Sequence, residues 1–76
     1  MDIATFIDNM KEQFDDLNED LKPETVFSEL DSWSSLTALS VIAMVDEEYE
    51  VTLKGADIRN ARTVQDLFNT VLAKKA

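Results

Sequence analysis

Two adjacent hydroxyls, Ser34 and Ser35, head a run from Leu36 to Tyr49 that contains neither Gly nor Pro. A serine becomes a catalytic nucleophile only when a base removes its proton. The 76 residues include no His, and no Lys lies near Ser35 in sequence. With one Gly in the chain, a glycine-rich phosphate loop is excluded as well. The acidic runs Asp15-Asp16, Asn18-Glu19-Asp20 and Asp46-Glu47-Glu48 lack the alternating oxygens, central Gly and terminal Glu of a calcium loop. They read as solvated acidic faces, and no metal site is expected. Two roles remain for the hydroxyls. They can cap a helix, accepting a bond from an unpaired amide of its first turn, or they can be acted on by another enzyme. The chain itself is not expected to be an enzyme.

The element that positions them is the helix they open. On a wheel of about 100° per residue, Ala38, Val41, Ile42, Val45 and Tyr49 gather on a core arc. Leu36, Leu39 and Ala43 fall on a neighbouring arc with Asp46, Glu47 and Glu50, and Ser35 sits near the border between the two. The second arc is too apolar for a plain solvent face and too acidic for a core. Such a mixture suits a surface that docks onto basic, partly apolar partners. A wider core that includes Leu36 and Leu39 is the other reading.

Around this helix the remaining chain forms a scaffold. Ile3, Phe6, Ile7, Met10, Phe14 and Leu17 recur at threes and fours, predicting a first helix over residues 3–17. A connection from Asn18 to Trp33 follows, with the single proline, Pro23, a turn at Glu24-Thr25, and Val26, Phe27 and Leu30 to pin it to the core. Its length is expected to let the first two helices run in a similar direction. Val51 and Leu53 return to the core, and Gly55 marks the break before a short element, Ala56 to Asn60. Thr63-Val64-Gln65-Asp66 resembles a capping box opening a last helix, whose stripe is Val64, Leu67, Phe68, Val71 and Leu72. Lys74 and Lys75 then place positive charge at the negative end of that helix. No alternating pattern supports a sheet. The expected fold is all-α, one small antiparallel-type helical bundle formed by residues 1–76.

Composition bounds the partners. Sixteen Asp and Glu against seven Lys and Arg give a net charge of −9, which disfavours nucleic acid and favours basic partners. The chain has no Cys, hence no disulfide framework or thiolate metal site. No apolar run reaches the roughly 18 residues of a membrane span, and Met1-Asp2-Ile3-Ala4 lacks the basic and apolar regions of a secretory signal. A soluble, cytoplasmic monomer is expected.

Trp33-Ser34-Ser35-Leu36, followed by an apolar helix ending Asp46-Glu47-Glu48-Tyr49, resembles the acyl carrier protein family. In that family an Asp-Ser-Leu motif, often preceded by Trp, opens the second helix, and an acidic triplet followed by an aromatic closes it. Pro23-Glu24-Thr25-Val26-Phe27 is similar to the loop ahead of the motif, and Thr63-Val64-Gln65-Asp66-Leu67 to the opening of the last helix, so the resemblance covers nearly the whole chain. It implies a four-helix bundle with a long first loop and a short third helix. It also implies that a phosphopantetheinyl transferase moves 4'-phosphopantetheine from coenzyme A onto the motif serine, where acyl cargo then rides as a thioester.

Asp31-Ser32-Trp33 has the family's Asp-Ser order, yet spacing favours Ser35. Tyr49 lies 14 positions beyond Ser35, the family interval, and 17 beyond Ser32. Ser35 is therefore the expected attachment point. Leu36, Leu39, Ser40, Ala43, Asp46 and Glu47 are the expected docking residues for the transferase and for enzymes of fatty acid or polyketide synthesis with basic patches. Ser34 replaces the usual Asp, and Ser40 stands where an acidic recognition residue is common, which implies a dedicated set of enzymes. The cargo reading stays open between fatty acyl, polyketide and aminoacyl groups, with fatty acid synthesis the default. An unmodified acidic interaction module is the alternative. If the helices part to shelter a chain, Phe6, Ile42, Val45, Ile58, Leu67 and Val71 are the candidates to line the space.

Overall fold

Four helices share one core in the computed structural model, which describes residues 2–14 and 20–75. They are α1 (Ile3–Lys11), α2 (Ser35–Tyr49), α3 (Gly55–Asn60) and α4 (Val64–Lys75), with a one-turn 3-10 helix, Phe27–Glu29, in the long connection. Among the described residues there is no strand beyond an isolated bridge between Val26 and Thr63. The all-α expectation holds, with the short third helix in place.

Phe6, Met10, Phe27, Val41, Val45, Val64, Leu67 and Val71 are the largest fully buried side chains. Each such burial contributes about 1.5–3 kcal/mol against the chain's conformational entropy. Phe6 is central, its ring 5.8 Å from that of Tyr49 and 5.3 Å from that of Phe68. It thereby joins α1 to α2 and α4.

Helix α1 is shorter than its apolar spacing predicts. The Asn9 carbonyl, which an α-helix would offer to the Gln13 amide, instead accepts from the Gln13 side chain at 3.0 Å. The Gln13 N–H turns to Met10 O (3.0 Å), and the Phe14 N–H to Lys11 O (3.2 Å). These three-residue bonds tighten the chain out of the α-helix. Phe14 stays buried beyond the helix end; Leu17 and the run Asp15-Asp16 lie outside the described residues.

The direction of α1 also corrects the expectation. Phe6, near its start, meets Tyr49 at the end of α2, while Phe14, past its end, meets Trp33 just before α2 begins (6.0 Å between rings). The two helices are antiparallel. The long connection leaves and returns at one end of the bundle, where long-range aromatic packing decides the geometry. Thr25 O accepts from Val64 N–H (3.0 Å) and Pro23 O from Gln65 N–H (2.9 Å), tying that connection to the start of α4. At the opposite end Lys75 Nζ donates to Tyr49 O (2.9 Å), so α2 and α4 run in the same direction.

The capping box of α4 forms with Asp as its acidic member. Thr63 Oγ1 accepts from the Asp66 amide (3.1 Å), and Asp66 Oδ2 accepts from the amides of Thr63 (3.1 Å) and Arg62 (3.2 Å). Those amide bonds, Thr63's foremost, hold the Asp66 carboxyl below the usual Asp value. Helix α3 begins at Gly55, one residue earlier than expected, with Asp57 Oδ2 accepting from the Lys54 amide at 2.9 Å. Leu72, assigned to the α4 stripe, is 39% exposed.

Candidate functional site

The approach to α2 is held by Trp33, whose ring packs against those of Phe14 and Phe27, the latter edge-on at 4.8 Å. This anchors the backbone one residue ahead of the two serines. Ser34 is the N-cap, extended at φ −147° and ψ 173°, with its Oγ accepting from the Thr37 amide at 3.2 Å. Thr37, buried, also lies 3.1 Å from the Ser34 hydroxyl and donates from Oγ1 to Ser32 O at 3.1 Å. The side-chain cap of the Thr37 amide is thus made by Ser34 and not by Ser35.

The three nearby serines now have separate positions. Ser32 lies in the turn before Trp33 and is half-buried. Ser34 is bonded into the cap. Ser35 is the first residue of α2 and exposed, and no described residue hydrogen-bonds its hydroxyl. It sits at the amide end of a 15-residue helix, where the backbone dipole favours negative charge.

The expected docking residues follow Ser35 along α2. Leu36 and Leu39 are 67% and 62% exposed, so they do not widen the core. Ala43, Asp46 and Glu47 are exposed and Ser40 is half-buried. On the opposite side of α2, Val41, Val45 and Tyr49 are buried, with Ala38 and Ile42 packed partly against them. Met44 and Thr37, unassigned by the periodicity, are buried too. Their signal was weak: one is a hydroxyl residue, and the other sits between the two arcs of the wheel.

Beside Ser35 a cleft of about 500 Å³ opens between α2 and α3. Trp33, Ala38, Leu39, Ile42 and Ile58 supply its apolar lining, Ser34 and Ser35 lie along one side, and Gly55 and Arg59 of α3 along the other. Of the six residues expected to line a space opened by parting helices, Ile42 and Ile58 border this cleft. Phe6, Val45, Leu67 and Val71 are fully buried in the core and line no part of this cleft. The apolar stripe marks burial in general, and cannot separate a packed core from a lined groove. Arg59 was not singled out from sequence. Its one signal is a guanidinium on a short helix in an acidic chain.

The molecule resembles a solved structure, the solution structure of a holo acyl carrier protein from Geobacter metallireducens. The likeness has a TM-score of 0.76 at 24% sequence identity and covers 95% of this chain and 83% of that one. The fold is that of an acyl carrier protein. No family model matches the chain, and neither does any curated protein. With sequence identity this low, the likeness speaks for the acyl carrier fold alone. Among the described residues, no helix of this acyl carrier fold is long and apolar enough to cross a membrane.

Proposed function

We propose that residues 1–76 form a carrier domain whose Ser35 hydroxyl bears 4'-phosphopantetheine, and that acyl intermediates ride on that arm as thioesters. The observation that carries this reading is the division of labour between adjacent serines: Ser34 caps the Thr37 amide, while the exposed Ser35 has no described partner. The residues present fit the group. An exposed hydroxyl stands at the positive end of a helix and beside an apolar cleft.

The transfer is phosphoryl chemistry performed by a separate enzyme. The Ser35 Oγ–phosphorus bond forms as the diphosphate bond of coenzyme A breaks. Adenosine 3',5'-bisphosphate leaves, and the hydroxyl proton passes to the transferase, since this chain has no His to take it. When bound, the group supplies a flexible terminal thiol. The chain's own residues then present that thiol without competing with it, because the sequence has neither Cys nor His. Leu36, Leu39, Ser40, Ala43, Asp46 and Glu47 would dock the transferase and the synthesis enzymes. Fatty acid biosynthesis in the cytoplasm is the default pathway. Exposed leucines flanked by carboxylates suit brief, electrostatically guided encounters that weaken as salt rises.

Incubation with coenzyme A and a phosphopantetheinyl transferase, followed by intact-mass measurement, tests the assignment. The parent should gain one 4'-phosphopantetheine, and Ser35→Ala should gain none while remaining folded by circular dichroism. Equal uptake by the variant would remove Ser35 from the role.

A further inference from the structure

The chain's seven cationic side chains are unevenly placed: Lys54, Arg59 and Arg62 fall within nine residues in and around α3. Lys54 and Arg62 are exposed residues flanking the helix. Arg59 differs, because it lines the cleft that Ser35 also lines. Its Nη1 folds back along α3 to within 3.1 Å of where a Cβ on Gly55 would stand. A side chain at position 55 would therefore crowd the guanidinium where it now lies. The described carboxylate in an ion pair on this helix, Asp57, is paired with Lys74 at 3.4 Å and not with Arg59.

A guanidinium beside a largely apolar cleft is matched by an anion with an apolar or uncharged continuation. Its fork of N–H donors suits phosphate oxygens better than a point charge does. Resting on the proposed attachment at Ser35, we propose that Arg59 is a positioning residue for the phosphodiester of the group carried there. It holds the anion from the α3 side and so directs the arm along the cleft, with Gly55 leaving room for the guanidinium. The occupant is thus the covalently delivered phosphodiester. Inorganic phosphate shares its chemistry and is tested as the other source.

The test compares apo and holo forms of the parent, Arg59→Gln and Arg59→Lys, each loaded by a transferase and checked by intact mass. Arg59 is exposed, so the apo variants should melt close to the apo parent. Loading should raise the parent's melting temperature more than that of Arg59→Gln, by about 3 °C at low salt, given a solvent-screened charge pair in a domain this small. Arg59→Lys should recover part of that difference, and about 0.5 M salt should erase most of it. The holo protein's phosphorus resonance should also move on Arg59→Gln, which a purely structural role would not produce.

Equal thermal shifts and an unmoved phosphorus resonance in fully loaded protein would overturn the Arg59 assignment while leaving the carrier reading intact. Absence of loading in the parent would overturn both. Stabilisation of the apo parent by equimolar inorganic phosphate, as large as that from loading, would show a general phosphate site and overturn the covalent one.

Discussion

The two ends of α2 are built to opposite purposes. At its C-terminal end the Tyr49 ring is buried against Phe6 and its hydroxyl accepts from Asn9 Nδ2 at 3.0 Å. Its carbonyl accepts from Lys75, and Glu50 closes the helix in the left-handed region at φ 57°. Three helices are thereby fastened at one point. At the N-terminal end Trp33 and the Ser34 cap hold the backbone, yet Ser35, Leu36 and Leu39 stand in the open beside a cleft. The proposed carrier role needs a serine exposed at one end of a helix that is held firmly at the other. Separating backbone order from side-chain exposure is what a presenting site needs.

Substitutions at the two ends can break this contrast. Phe6→Ala should have the largest effect, about 3–5 kcal/mol by urea denaturation, because it empties the point where α1, α2 and α4 meet. A loss under 1 kcal/mol would show that the closed end is not the anchor. Ser34→Ala should cost about 1 kcal/mol through its cap, whereas Ser35→Ala should fall within about 0.5 kcal/mol of the parent. Reversal of that order would mean that the capping roles had been exchanged.

A smaller effect follows from the α4 cap, which secures the helix running parallel to α2. The Thr63 and Arg62 amides hold the Asp66 carboxyl below its ordinary value, so the folded protein binds that proton less readily than the unfolded chain. The stabilisation is therefore complete above the ordinary Asp pKa. It is lost as pH falls through the lower folded value. Asp66→Asn should be less stable than the parent at neutral pH, with the gap narrowing across that acid window. A gap that stayed constant with pH would remove the linkage.

Much of this was legible in the sequence where the physics is local. The Thr63–Asp66 box and the Trp33-Ser34-Ser35-Leu36 opening of α2 both formed, because caps depend on residues three or four apart. Features set by distant partners were less accessible. The end of α1 depends on the Gln13 side chain competing for a helical carbonyl, which apolar spacing does not register. The antiparallel course of α1 and α2 comes from Phe14 and Trp33 meeting across the long connection. Leu72 and Leu67 look alike in the α4 stripe, yet one is 39% exposed and the other fully buried. The Arg59 side of the cleft required knowing where α3 packs.

The most direct test of the central claim is residue-level mapping of the adduct. Protein loaded from coenzyme A by a transferase would be fragmented in the mass spectrometer and the modified serine read from the fragments. The account predicts a single 4'-phosphopantetheine on Ser35, with Ser32 and Ser34 bare. An adduct on either neighbour, or none under conditions that load a control carrier, would contradict it.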